Sequence, residues 1–296
     1  MTRLVGAFVA LLGAPLAAWG QQVPGRDLLD FPLGTLADAP VLAREGFAIW
    51  NPALVEVSGS ARVRGALGAV DTPQDVGASL IGVRLAARLP RGITAALSAV
   101  RGEVDGIART IDSPASIGGD LAYGSAMYSV GASRRHRAVS VGVALRYRTG
   151  TIGGESGRGA RADAGVHADS LFGLPIRAAA ATFLWQPANA SADQSAFAGG
   201  IDGDVFTLGN TTARLGYALT LWPQGANEHY GLTSIAAGSW EGTAGLARRS
   251  RMGEVEWSMR LGVAVRHSRY RVGLAREGMR DGLGGIYQFI LSTELP

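Results

Sequence analysis

The chain has no cysteine and no lysine among its 296 residues. The missing cysteine excludes a disulfide scaffold, an Fe–S cluster, a thiolate zinc site and a lipid-bearing N-terminal cysteine. The missing lysine makes all 28 basic residues arginine, against 24 acidic ones. Charged residues are only 18% of the chain, and the net charge of +4 is spread along it, so no nucleic-acid partner is expected. Long apolar runs are also scarce. The single one sits at the N-terminus, which excludes a helical membrane protein. Glycine, by contrast, is abundant at 43 residues, about twice the usual share.

The N-terminal run has the layout of an export signal. Arg3 supplies a positive charge, Leu4 to Trp19 an apolar stretch, and Ala18-Trp19-Gly20 the small residues that a signal peptidase reads. Residues 1–20 are therefore expected to be a signal peptide. Residues 21–54 lack sustained alternation and hold short apolar clusters at Leu28-Leu29 and Phe31, so they are expected to fold into or under the remainder of the chain, as a plug-like segment.

From residue 55 to 296 the sequence repeats with a period of two. Val55, Val57, Gly59, Ala61, Val63, Gly65 and Leu67 oppose Glu56, Ser58, Ser60, Arg62 and Arg64. The pattern recurs at 81–89, 139–148, 212–221 and 255–266. A sandwich would also alternate, but ten to fourteen residues is longer than its strands need and is enough to cross a bilayer at a tilt of about 45°. Only a closed barrel satisfies every backbone group in hydrocarbon. The fold class expected is thus all-β: a closed transmembrane antiparallel β-barrel of about fourteen strands, with twelve as the alternative. Asp204 to Leu208 and Tyr230 to Ala237 are the weakest segments. Short connectors (90–92, 133–136, 170–175, 208–211, 238–239, 267–268) alternate with longer ones (69–76, 101–119, 149–159, 186–200, 222–227, 249–253, 278–284), the turn-and-loop rhythm of outer-membrane barrels.

Just before the first alternating run stands Glu45-Gly46-Phe47-Ala48-Ile49-Trp50-Asn51-Pro52-Ala53-Leu54. Its aromatic-Asn-Pro-Ala core, Trp50, Asn51, Pro52 and Ala53, resembles the junction that precedes strand one in the FadL/PorV-like superfamily of outer-membrane barrels. The resemblance implies a fourteen-stranded barrel with an N-terminal plug, located in the bacterial outer membrane. Its function would be the passage or binding of small hydrophobic or amphiphilic molecules, some of them anionic. At the C-terminus, Gly284, Tyr287 and Phe289 are spaced like a barrel-assembly signal. The partners expected are therefore outer-membrane lipid, a small amphiphilic substrate and the barrel-assembly machinery. A structural or secretion-accessory barrel that holds a partner protein is the alternative.

Arg62, Arg64, Arg84, Arg88, Arg146, Arg148, Arg260 and Arg266 fall on the inward faces and are the expected lumen lining, biased toward anions. The competing role for each is an Arg–carboxylate network that closes a narrow barrel. Asp163, His167 and Asp169 share an inward face, but the nearby Ser170 has the wrong phase for a hydrolase triad. No catalysis, metal site or cofactor is expected. Trp50, Trp185, Trp222, Trp240 and Trp257 are expected as interfacial aromatics.

Overall fold

The computed structural model describes residues 23–44, 49–55, 57, 60–73, 76–107, 121–171, 173–185, 195–222, 225–251, 253–278 and 285–296. The predicted signal peptide, Glu45 to Ala48 of the junction, Glu56 and the predicted assembly-signal residue Gly284 lie outside them. Fourteen antiparallel strands close into one barrel in which each pairs with its sequence neighbours and the first with the last. They are β1 (Val63–Asp71), β2 (Ala78–Leu89), β3 (Ile93–Val104), β4 (Tyr123–His136), β5 (Val139–Ile152), β6 (Glu155–Ala168), β7 (Ile176–Phe183), β8 (Ala196–Leu208), β9 (Thr211–Leu221), β10 (Asn227–Ala237), β11 (Trp240–Arg251), β12 (Glu254–His267), β13 (Tyr270–Gly278) and β14 (Gly285–Leu295). The two weakest sequence segments are both strand, so the number is fourteen and not twelve.

Alternation sets the orientation of the wall. Along β5, Val139, Val141, Val143, Leu145 and Tyr147 are exposed, while Ser140, Gly142, Ala144, Arg146 and Arg148 are buried. Apolar side chains such as Leu85, Leu97, Leu145, Leu215, Trp257, Met259 and Leu274 cover the outer surface, each more than 45% exposed. A continuous apolar exterior on a closed ladder suits hydrocarbon and not water.

All connections at one rim except 169–175 are turns of two or three residues: 90–92, 137–138, 209–210, 238–239 and 268–269. The other rim carries the longer ones, notably 105–122 and 184–195. Two predicted loops there are strand instead. Residues 149–159 form the end of the β5–β6 hairpin, which turns at Gly153 and Gly154 with φ of 56° and 95°. β11 likewise runs on to Arg251.

The predicted first strand begins at Val63, not Val55. Asn51 caps a 3-10 turn at Pro52–Leu54 by accepting from the Ala53 N–H at 2.9 Å. Val55 and Val57 then pack inside the ring with Leu54, Ala61, Ala86 and Ala96. Residues 23–44 and 49–57, where described, cross the interior. Leu29, Leu33, Ile49 and Trp50 share a cluster with inward residues of six strands: Val70, Leu80, Val100, Met127, Phe183 and Ala196. Trp50 is therefore an interior residue, and Trp222 packs against the same cluster. Of the tryptophans predicted for the interface, Trp240 and Trp257 are exposed on the outside.

Candidate functional site: the interior and the β6–β7 seam

The strands supply charges to the interior, and the N-terminal segment supplies backbone carbonyls. On the β4–β6 side, Arg146 and Asp163 form an ion pair with both side chains fully enclosed. Arg146 also donates to the Ile49 carbonyl and stacks over the Phe183 ring at 5.4 Å. Arg148 donates to the Val23 carbonyl at 2.7 Å. At the short-turn rim, Arg44 bridges Asp169 and His167 Nε2, the latter at 2.9 Å, and Arg135 reaches Asp169 at 2.5 Å.

The β8–β13 side is an Arg–carboxylate chain. Asp202 takes Arg177 at 2.7 Å and Arg214 at 3.4 Å, and Glu241 takes Arg214 at 3.2 Å and Arg271 at 2.9 Å. Nearer the other rim, Glu228 binds Arg249 and Arg260, and Glu277 binds Arg260 at 2.8 Å. From the segment, the half-buried Asp38 lies beside Arg214, Glu241, Arg271 and Asp202. Burial lifts its carboxyl to about 6, against the pull of the arginines. Asp30 is raised to about 6 by burial likewise, opposed mainly by Arg26 and Arg249.

Of the arginines predicted to line the lumen, Arg64, Arg84, Arg146, Arg148 and Arg260 are buried inside. Arg62, Arg88 and Arg266 are exposed at the strand ends by the short turns. The predicted junction also lies inside: Trp50 Nε1 donates to the Leu33 carbonyl at 3.1 Å, and Asn51 Nδ2 to the Val41 carbonyl at 3.2 Å. Pro52 and Ala53 are buried there as well. Ser170 donates to the Leu174 carbonyl in an exposed turn. Among the described residues, no group of His, Asp and Glu is arranged to hold a metal ion.

Sequence reasoning missed the irregular place in the wall. β6 pairs with β5 from Val139 opposite Ala168 to Ile152 opposite Glu155. Its other edge pairs with β7 only from Gly165 opposite Ala181 to Ala168 opposite Ala178. Beyond that, Thr182 Oγ1 accepts from the Ala164 N–H at 2.9 Å, and the Trp185 carbonyl accepts from Ala162 N–H at 3.2 Å. Phe183 and Leu184 then break alternation, since both are buried, and Leu184 has a left-handed φ of 52°. Asp163 holds the departing chain through the Trp185 N–H at 3.0 Å. Beside this seam the outer wall carries a concavity of about 900 Å³, lined by Leu97, Tyr128, Leu145, Tyr147, Ala162 and Trp185 among others. The same stretch of wall carries Arg84, Arg146 and Arg161. The cue in the sequence is the run of four alanines, Ala178 to Ala181, followed by Phe183-Leu184, which no period of two accommodates.

No known protein family and no curated protein matches this chain. Among solved structures it is similar to the Ralstonia pickettii toluene transporter TbuX, with 10% identity, 83% of this chain and 92% of that one covered, and a TM-score of 0.57. It is also similar to the Acinetobacter baumannii outer membrane protein Omp33, with 10% identity, 79% and 98% covered, and a TM-score of 0.49. By its closed fourteen-strand ladder, apolar exterior and likeness in fold to TbuX, the chain has the architecture of an outer-membrane β-barrel.

Proposed function

We propose that this protein sits in the bacterial outer membrane, after export by residues 1–20, and passes or binds small hydrophobic or amphiphilic molecules in the manner of the FadL-like barrels. The observation that carries this reading is the apolar concavity, which ends where β6 leaves its regular ladder with β7. Its volume suits a small ligand. Its position lets a molecule dissolved in the bilayer reach the wall where the ladder is interrupted. The N-terminal segment packs against inward residues of the wall, so a straight aqueous path is not required by this reading. Arg161, buried just inside the seam, offers a counter-charge to an anionic head group. The toluene-transporter likeness and the Asn51-Pro52-Ala53 junction support the same substrate class.

The test exploits the absence of native cysteine. Ala162 and Trp185 stand opposite each other across the seam, so Ala162→Cys with Trp185→Cys can be bridged by oxidation. Uptake of toluene and of dodecanoate into proteoliposomes should be lost on oxidation and return on reduction. A bridge across the intact edge, Ala162→Cys with Leu145→Cys, should leave uptake unchanged. Equal uptake in the oxidised and reduced seam variant would refute the route and favour an accessory barrel that holds a partner protein.

A further inference from the structure

On another part of the wall, the outer face carries a group of hydrogen-bond donors with no acid beside it among the described residues. Arg248 on β11 stands directly opposite His229 on β10 and Trp257 on β12. All three project outward, because their chain neighbours Glu228 and Arg249 pair inside. Tyr217 on β9 joins the row, its hydroxyl 2.6 Å from His229 Nδ1. With that hydroxyl donating to Nδ1, His229 Nε2 carries the proton and is itself a donor. The Trp257 indole N–H and the Arg248 guanidinium are donors only. The inward arginines show the contrast: Arg146, Arg177, Arg214, Arg249, Arg260 and Arg271 each meet a carboxylate.

The depth of the row completes the picture. His229, Arg248 and Trp257 lie within a few residues of the connections at the longer-loop rim. Below them β12 continues outward with Met259, Leu261 and Val263, all exposed and apolar. An arginine facing lipid costs about 2–4 kcal/mol at the bilayer midplane and close to nothing at its boundary. This row therefore marks the boundary, where the acceptors available are the head groups of lipids.

We propose that Arg248, His229 and Trp257 form a binding site for the phosphate of an anionic membrane lipid in the leaflet at the longer-loop rim. It rests on the bilayer location proposed above but not on the passage of any molecule. The guanidinium and imidazole supply charge-assisted and neutral donors to the phosphate oxygens, and the Trp257 ring lies against the upper acyl chain. The site is built from three adjacent strands in fixed register, so it is formed before lipid arrives.

The experiment is native mass spectrometry of the full chain in micelles doped with phosphatidic acid. The wild type should retain one phosphatidic acid, and Arg248→Gln should need roughly tenfold more lipid for the same occupancy, the effect of one lost charge-assisted hydrogen bond. Arg248→Lys should fall between them. Arg134→Gln, at the opposite rim, should match the wild type. Diacylglycerol, which lacks the phosphate, should not be retained. Should Arg248→Gln not fold, Trp257→Phe keeps the ring, removes the donor, and should still weaken retention. Equal retention by Arg248→Gln or Trp257→Phe and the wild type would overturn the proposal. So would displacement of the lipid by equimolar inorganic phosphate, which would make this a free-anion site. Equal toluene uptake by the oxidised and reduced seam variant would leave this outcome untouched, so the two readings fail separately.

Discussion

The two edges of β6 are built from the same strand and behave differently. Toward β5 the ladder runs the full length of both strands. Toward β7 it stops at Gly165, and among the described residues a threonine hydroxyl, one backbone hydrogen bond and the Asp163 carboxylate replace it. The difference arises on β7, whose Phe183 and Leu184 both turn inward to pack on the N-terminal segment. Burying two consecutive apolar residues forfeits the strand's alternation. Packing against the segment is thus gained at the expense of the wall, which ties the segment to the seam.

Asp163 belongs to both edges, and its loss should have the largest effect. One oxygen pairs with Arg146 of β5, and the other holds the Trp185 N–H beyond β7. Asp163→Asn would leave the Arg146 charge enclosed and uncompensated, a cost of about 3–5 kcal/mol. The temperature at which the barrel loses its heat-modifiable mobility on gels should fall steeply. Asp204→Asn, whose partner Arg177 keeps Asp202, should leave that temperature unchanged.

The acids of the N-terminal segment offer a titration. Asp38 and Asp30 have folded-state values near 6, raised from 3.8 by burial. An acid with a raised value stabilises the fold fully below its unfolded value and loses that contribution as pH rises through the folded one. The docked segment should therefore weaken between about pH 4 and pH 7, by at most about 3 kcal/mol for each acid. Asp30→Asn with Asp38→Asn should flatten the melting temperature across that window relative to the wild type. Parallel curves for the two proteins would mean that the segment's acids are not what couples its docking to pH.

Gly165, the last paired residue of the seam, tests how closely the segment fits. A Cβ there would come within 2.1 Å of Asn51 Oδ1. Gly165→Val should cost about 1–3 kcal/mol as overpacking and make residues 49–57 accessible to protease. Gly199→Ala, whose Cβ would meet only the Ala179 carbonyl at 3.8 Å, should do neither.

That fit explains what the sequence could convey. The outward face must match hydrocarbon at every strand, so Val139 to Tyr147 and Val255 to Val265 announced themselves. The same phase put Arg64, Arg84, Arg146, Arg148, Arg260 and Asp163 on the inward face, where they are buried, but it did not separate them from Arg62, Arg88 and Arg266, which are exposed at the strand ends. Val55, Val57 and Ala61 alternate just as well, yet they face an apolar filling, and a period of two does not say which apolar medium it meets. The β5–β6 hairpin was hidden for the opposite reason. At the rim its outward residues Thr149, Thr151, Ser156 and Arg158 are polar, so no contrast marks the strands. The abundant glycines gave no sign of their role. At Gly142, Gly150 and Gly165 they are the imprint of the segment, since a Cβ would strike Pro52, Pro24 or Asn51. The seam could not be seen because pairing between β6 and β7 depends on where Phe183 and Leu184 point, which the segment decides.

The smallest expected effect separates the two edges most directly. Thr182 Oγ1 stands where a β7 backbone group would otherwise accept from Ala164 N–H. Thr182→Val keeps the shape and removes the acceptor, costing about 1 kcal/mol for one hydrogen bond. On the β5 edge nothing changes, because Ala164 stands opposite Val143 within an intact ladder. Amide exchange should therefore quicken at Ala164 and at Ala162, next along the same edge, while Ala144 and Arg146, whose N–H groups face β6, keep their rates. If the variant speeds exchange equally on both edges, β6 responds as one unit and the seam is no weaker than the rest of the wall. If only the β7 edge responds, the seam opens on its own, as a lateral route for small apolar molecules requires.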